Sequence, residues 1–144
     1  MAIEFDDDRD RIDVAAVHDY LSNESYWAEG RPYDVVDRLI REAERVVGAY
    51  DGERQVGFAR VVSDGAVFAY LADVYVLSAY RGRGLGVELV REAVDGSPYA
   101  GLKWLLHTDD AHSLYEKLGF GEPSPRLMER SAPPATSGRS DSDT

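Results

Sequence analysis

The sequence contains no cysteine and only two lysines, Lys103 and Lys117. Without cysteine the chain has no disulfide, no thiolate zinc site and no cysteine nucleophile. It also has no apolar run long enough to span a bilayer. Its first residues, MAIEFDDDRDR, are acidic, which is unlike a signal peptide. We therefore expect a cytoplasmic protein without a membrane partner.

Basic charge is scarce in the chain. The chain has 16 lysines and arginines and 27 aspartates and glutamates, which gives a formal net charge of −11. Such a balance argues against nucleic acid as a partner, because phosphate contacts need clustered basic charge. With 144 residues, 44% of them hydrophobic and 30% charged, the chain is long enough to form one globular domain with a core.

Hydrophobic periodicity predicts helices over residues 11–21, from Pro32 onward, over 84–95, and over a short segment after Asp110. It predicts strands over residues 1–5, 45–50, 55–63, 67–76, 103–107 and 120–130. This order indicates an α/β or α+β sheet with helices on both faces. We expect one domain over residues 1–130 and a disordered Ser/Pro/Asp/Gly-rich tail over 131–144.

A glycine-rich turn, Arg81-Gly82-Arg83-Gly84-Leu85-Gly86, joins the strand over 67–76 to the helix over 84–95. Glycines let the backbone approach a ligand, and the first amides of a helix attract anions. The turn therefore predicts a pyrophosphate site. It is not a P-loop, because Leu85-Gly86-Val87 replaces Gly-Lys-Ser/Thr, and its spacing does not fit G-x-G-x-x-G.

A second motif, Ala111-His112-Ser113-Leu114-Tyr115-Glu116-Lys117-Leu118-Gly119-Phe120, follows downstream. Together, the two motifs in this order and spacing resemble those of the GNAT family of N-acetyltransferases, whose pattern is R/Q-x-x-G-x-G/A and then A-x-x-L-Y-x-K-x-G-F. The resemblance covers residues 45–130. It implies a mixed, mostly antiparallel sheet of six or seven strands that splays open after its central strand.

The resemblance implies acetyl-CoA as cosubstrate. The loop amides from Arg83 to Gly86 would hold its pyrophosphate, and the backbone of Val74 and Val76 would pair with its pantetheine amides. Thr108 stands where relatives often have a cofactor-contacting asparagine. The implied cofactor-binding residues are Val74, Val76, Arg81, Gly82, Arg83, Gly84, Leu85, Gly86 and Thr108.

Acetyl transfer to an amine needs a neutral amine, a donor for the oxyanion and a proton for the departing thiolate. By resemblance, Tyr115 donates that proton and the Val76 amide donates a hydrogen bond to the oxyanion. Helical spacing alone would instead make Tyr115 a core aromatic residue. Some relatives have a glutamate as base where this chain has Ala72. The neighbouring Asp73 is either that base, a holder of a cationic substrate, or a structural group fixed by hydrogen bonds. Glu24 is a weaker candidate for the base.

By resemblance, Tyr26, Trp27 and Arg31 form a wall of the acceptor site, although Trp27 could instead pack the second helix on the sheet. The histidines show no zinc spacing, and no metal is expected; His107, at a strand end, could line the cleft. The implied function is transfer of acetyl to a primary amine, on a small molecule or peptide, in a ternary complex. A sensor that binds acetyl-CoA without catalysis is the alternative, and homodimers are frequent in the family.

Overall fold

The computed structural model of the chain describes residues 2–133. In chain order, the elements are β1 (Glu4–Asp6), a 3-10 turn (Arg9–Arg11), α1 (Val14–Glu24), α2 (Tyr33–Glu42), β2 (Arg45–Asp51), β3 (Arg54–Ser63), β4 (Phe68–Val76), a 3-10 turn (Ser78–Tyr80), α3 (Leu85–Val94), β5 (Lys103–Leu105) and α4 (His112–Glu116). None of the helices within these residues has the length and apolarity needed to cross a membrane.

The five strands form one mixed sheet in the order β1-β2-β3-β4-β5. Neighbouring strands are antiparallel from β1 to β4. Short turns, such as the one at Asp51-Gly52, join β2 to β3 and β3 to β4, whereas α1 and α2 lie between β1 and β2. Only β5 runs parallel to its neighbour, β4, and the connection between them contains α3.

Two predictions about the strands were wrong. Residues 120–130 form no strand, and the sheet has five strands among residues 2–133 rather than six or seven. Pro123 and Pro125 interrupt this segment, and proline has no N–H to donate to a neighbouring strand. β5 is also shorter than predicted, since it ends at Leu105. Most of the predicted disordered tail, residues 134–144, lies outside the described residues.

Helices cover both faces of the sheet, as predicted. On one face, α1 and α2 pack their buried residues, including Val17, Leu21 and Val36, against Phe58 and Tyr75 of the strands. On the other face, Leu89 and its neighbours on α3 pack on β2, β3 and β4, and Leu114 and Leu118 of the α4 region pack at the margin of the same cluster. Both clusters bury apolar surface, which is the main favourable term in folding.

β4 departs from regular pairing at two points, and both shape the site. Its pairing with β5 covers only Phe68, Ala69 and Tyr70, although β4 continues to Val76. Its register with β3 shifts at the level of Asp73, whose φ of 56° is positive. Within the described residues, the later half of β4 therefore has no strand beside it on the β5 side, and a gap opens between the two strands.

Candidate functional site

The loop from Arg81 to Gly86 forms an open backbone turn at the start of α3. Gly82 and Gly84 have φ of 79° and 76°, a region that favours glycine. Gly84 is the N-cap of α3 and supplies no side-chain cap, so the first amides of the helix receive no partner from that residue. A Cβ added at either glycine would meet nothing within 4 Å. This open turn fits a phosphate-bearing ligand.

The arginines of this loop differ in their contacts. Arg81 donates from Nε to the carbonyl of Val76 at 3.0 Å and from a terminal nitrogen to the Tyr20 hydroxyl at 2.7 Å. Arg81 therefore ties the end of β4 to α1. Arg83 is exposed and lies over the Tyr80 ring at 5.3 Å. Of the two guanidinium groups, that of Arg83 is the more accessible to an anion at the turn.

Gly86 has a packing role that its motif did not reveal. A Cβ at this position would lie 3.1 Å from Cδ1 of Leu114. The glycine therefore permits the close approach of α3 and α4, and it links the two motifs in space.

A cleft lies in the gap between the later half of β4 and the loop that follows β5. Six of the residues predicted for the site line this cleft, and they come from four separate segments of the chain. Four further residues, Leu71, His107, Asp110 and Ala111, complete its lining. The lining residues are Tyr26, Trp27, Leu71, Asp73, Val74, His107, Thr108, Asp110, Ala111 and Tyr115. Three predicted groups do not line it. Arg31 lies behind Asp73, Val76 is at the far end of β4, and the Arg81–Gly86 loop follows β4 at the start of α3.

Tyr115 of α4 is half-buried at this cleft, and its ring meets that of Phe120 edge to face at 5.9 Å. Burial raises the pKa of Tyr115 to about 12. A phenol already holds its proton at neutral pH at its ordinary pKa of 10.0, and burial favours the protonated form further, as a proton donor requires. Thr108 accepts a hydrogen bond from the amide of Ala111, the residue just before α4, at 3.1 Å.

Asp73 lies at the centre of a buried ion cluster. Only 2% of its side chain is exposed, and its two oxygens accept hydrogen bonds from Trp27 Nε1, Arg31 and Arg60, each at 2.9 Å. Proton uptake by this carboxylate would leave two largely buried guanidinium groups without their counter-charge. These contacts favour the structural alternative for Asp73 over the base, and they hold Trp27 at the cleft wall.

The loop between α1 and α2 also reaches the opposite wall of the cleft. Tyr26 accepts a hydrogen bond from the Asp109 amide at 2.9 Å, and its ring meets that of Trp27 edge to face at 5.0 Å. The two aromatic residues predicted for the acceptor side thus bridge the segment before α2 and the segment before α4.

Sequence analysis missed three residues near the cleft. Arg60, the partner of Asp73, is a charged residue within the apolar strand β3, and this position was its only signal. Tyr70 of β4 and Glu129 of the C-terminal segment each hydrogen-bond a ring nitrogen of His107. No local motif marks the pair Tyr70 and Glu129, because 37 and 22 positions separate them from His107.

Comparison with known proteins identifies the fold first. A crystal structure of a GNAT-family "putative acetyltransferase" from Xanthomonas campestris is similar over 92% of this chain and 95% of its own, with a TM-score of 0.85 and 38% identity. A GNAT acetyltransferase from Brucella melitensis, solved with acetyl-CoA, shares the fold with a TM-score of 0.65 at 20% identity, over 84% of each chain. The architecture is therefore that of acetyltransferases of this class.

The sequence comparisons agree with the fold. The family profile described as "Acetyltransferase (GNAT) domain" matches residues 42–122. A "putative acetyltransferase" of the fungus Gibberella zeae is 40% identical over 69 residues, which are 46% of this chain and 39% of that protein. The chain thus spans less than half the length of this curated relative. The chain belongs to the GNAT family of acetyltransferases.

Proposed function

We propose that this protein transfers the acetyl group of acetyl-CoA to a primary amine, by direct attack in a ternary complex. The observation that carries the proposal is the free edge of β4, which leads from the cleft at Tyr115 to the open turn before α3. A ligand with amides at one end and phosphates at the other can add to such an edge as an extra strand.

The residues of the loop and the strand fit this cosubstrate. The amides of Arg83 to Gly86 would hold the pyrophosphate at the positive end of α3, with Arg83 adding charge. Gly82 and Gly84 leave the space that the phosphates need. The backbone of Val74 and Val76 would pair with the pantetheine amides, while Arg81 fixes the end of that strand. Thr108 would lie on the opposite wall of the gap.

Each wall of the cleft has a role in the transfer. Acetyl-CoA supplies an activated thioester, and the protein positions the amine and moves the protons. Tyr115 would donate its phenolic proton to the leaving sulfur, and the Val76 amide would donate to the carbonyl oxygen as negative charge develops. Tyr26 and Trp27 would form the acceptor wall. Arg31, with Arg60, would hold Asp73 and through it Trp27.

Several wider expectations belong to the same proposal. The acceptor is a small molecule or peptide that carries an amine, and residues 1–130 act as one domain in the cytoplasm. We expect neither a metal nor nucleic acid to take part. The histidine spacing shows no zinc pattern, and a net charge of −11 disfavours contacts with a phosphate backbone. Whether the working unit is a homodimer can be measured by sedimentation.

A second function has one specific observation in its favour. Ala72 stands on β4 where some family members have a glutamate base, and the adjacent carboxylate is held by two arginines. A sensor that binds acetyl-CoA without turnover would need no base. It predicts micromolar binding of acetyl-CoA with no acetylation of any amine.

The experiment that separates the two functions measures CoA release from acetyl-CoA with a panel of amines, including spermidine, tyramine and a lysine peptide. We expect turnover with at least one amine, and a loss of about 10²-fold or more in kcat for Tyr115→Phe. The dissociation constant for acetyl-CoA should stay within about a factor of two. The matched control is Tyr99→Phe, because the Tyr99 hydroxyl bonds Glu44 away from the cleft. Equal activity of Tyr115→Phe and Tyr99→Phe would remove Tyr115 from the chemistry.

A further inference from the structure

We propose that Tyr70, His107 and Glu129 form a proton relay that takes up the proton lost by the acceptor amine. The inference rests on the acetyltransferase function proposed above and assigns its missing base. His107 lines the cleft, and its Nδ1 and Nε2 are hydrogen-bonded to the Tyr70 hydroxyl and to the Glu129 carboxylate respectively.

The position of the relay on the sheet suits an acceptor. Ala69 and Leu71 pack into the cluster under α3, so Tyr70 between them points to the opposite face of β4. Trp104 and Leu106 also pack toward α3, and His107 follows them on the opposite side. The relay is therefore on the face away from the α3 turn that would hold the phosphates. An amine that enters the cleft from that face reaches the relay at His107, which lines the cleft and which the Tyr70 hydroxyl contacts.

The partners of His107 determine which nitrogen is basic. An ionised carboxylate only accepts hydrogen bonds, so Nε2 carries the hydrogen that points to Glu129. In the neutral imidazole, Nδ1 is then the acceptor, and the Tyr70 hydroxyl donates to it. The third group, Glu129, orients the ring in the way that a carboxylate orients a catalytic histidine.

The proton transfer balances without any further reactant. One N–H bond of the acceptor ammonium breaks as its proton passes to Oη of Tyr70. The Oη–H bond that Tyr70 held breaks at the same time, and a new N–H bond forms at Nδ1 of His107. The amine is left neutral with a free lone pair, Tyr70 is unchanged, and Glu129 balances the charge of the imidazolium.

Asp73, the base candidate predicted on β4, is unsuited to this step. Asp73 is already the acceptor for Trp27, Arg31 and Arg60 and is 2% exposed. His107, in contrast, is 41% exposed at the cleft and can exchange its proton with solvent after each turnover. The charge cluster at Asp73 thus holds Trp27 at the cleft wall, and the relay at His107 takes up the proton of the amine.

The first test uses heteronuclear NMR of the free protein to determine which ring nitrogen of the neutral His107 carries the hydrogen. We expect the neutral ring of His107 to carry its hydrogen on Nε2. A neutral ring with its hydrogen on Nδ1 would overturn the proposal, because the basic nitrogen would then face Glu129. This readout needs neither acetyl-CoA nor an acceptor.

The second test uses acetyl transfer to the most active amine of the panel. His107→Ala and Tyr70→Phe should each lower kcat by about 10²- to 10⁴-fold, and Glu129→Gln by less, because it keeps an acceptor for Nε2 but removes the charge. Added imidazole should restore part of the rate of His107→Ala, a rescue that a structural role does not give. His18→Ala is the control, since His18 lies on α1 against the Tyr33 ring.

The outcomes separate this inference from the proposed function. An active wild type whose His107→Ala variant retains its rate within about threefold overturns the relay alone. A His107→Ala variant that is slow and not restored by imidazole, or that loses acetyl-CoA affinity in proportion, also overturns it. A wild type that binds acetyl-CoA and acetylates no amine overturns the proposed function, and the relay fails with it.

Discussion

At the scale of single residues, Asp73 combines two features that are each costly in isolation. Its backbone has a φ of 56°, which non-glycine residues rarely adopt, and its carboxylate is buried. Aspartate and asparagine tolerate this backbone region better than other residues. Arg31, Arg60 and Trp27 provide the hydrogen bonds that the buried charge requires.

Asp73→Asn tests this cluster with little change of shape or backbone preference. The variant removes the negative charge and leaves Arg31 and Arg60 as two largely buried cations. We expect the free energy of unfolding to fall by about 3–5 kcal/mol, measured by urea denaturation.

Asp37→Asn is the matched control for this substitution. Asp37 pairs with Arg41 on the surface of α2, where the two side chains are 35% and 60% exposed. Exposed pairs of this kind contribute about 0.3–0.5 kcal/mol, so the control should remain within that range. If both variants lost stability equally, the cluster at Asp73 would not have the structural role that we assign to it.

The sequence predicted individual residues better than their partners. Asp73 is conspicuous as the only charge between Val67 and Tyr80, and it does line the cleft. Its two arginines lie 42 and 13 positions away, and the pairing depends on how the loop before α2 and strand β3 meet β4. Such long-range contacts leave no periodic trace in a single sequence.

At the scale of elements, the connection from β4 to α3 is the part most exactly specified by local sequence chemistry. Gly84 ends the turn in a left-handed conformation with φ of 76° and begins α3. The same geometry exposes the first amides of the helix. A side chain at this position would strain the backbone and project beside the proposed phosphate site.

Gly84→Ala should therefore affect stability and binding together. We expect the free energy of unfolding to fall by about 1–2 kcal/mol, and the dissociation constant of acetyl-CoA to rise by about tenfold or more, by calorimetry. Gly101→Ala is the control, because Gly101 has no positive φ and open space around it. Unchanged affinity in Gly84→Ala would place the phosphates elsewhere.

The bounds of strands and helices were predicted accurately where turn residues and hydrophobic periodicity indicate the same structure. The strands around the Asp51-Gly52 turn and the helix after Gly84 came out within one or two residues, because turn chemistry and periodicity agree there. Residues 120–130 have apolar positions but also Pro123 and Pro125, and no strand forms. The premature end of β5 depends on tertiary packing, which no local pattern records.

At the scale of the whole molecule, two buried tyrosines, Tyr50 and Tyr75, and the half-buried Tyr115 couple the stability of the domain to alkaline pH. Burial raises the pKa of Tyr50 and of Tyr115 to about 12, and raises that of Tyr75 further. In the unfolded chain these phenols ionise at their ordinary value, 10.0. Each raised pKa therefore adds stability that is complete below about pH 10 and is lost as the pH rises through the folded value.

The predicted consequence is alkaline unfolding. The urea midpoint should be insensitive to these three groups up to about pH 9 and should fall steeply between about pH 10 and 12. Near-ultraviolet absorbance of phenolate should report their ionisation together with unfolding. Tyr75→Phe should make the fall shallower. Ionisation of all tyrosines near pH 10 in a protein that stays folded would contradict the burial of these side chains.

The function could be predicted from the sequence where its residues are contiguous, and not where distant segments form the site. The cosubstrate class followed from two motifs that are each contiguous in sequence, and Gly86 against Leu114 now shows why they occur together. The proposed acceptor wall and proton relay draw on the loop after α1, β4, the segment after β5 and the C-terminal segment. Their chemistry becomes visible only when the fold brings these segments to one cleft.

The central claim is that the free edge of β4 and the turn before α3 hold acetyl-CoA, with its acetyl group in the cleft beside Tyr115. A crystal structure of the protein with acetyl-CoA tests it most directly. The account predicts pantetheine amides paired with the backbone of Val74 and Val76, and the pyrophosphate on the amides of Arg83 to Gly86. A complex with the ligand away from β4, or no binding at micromolar concentrations, would contradict it.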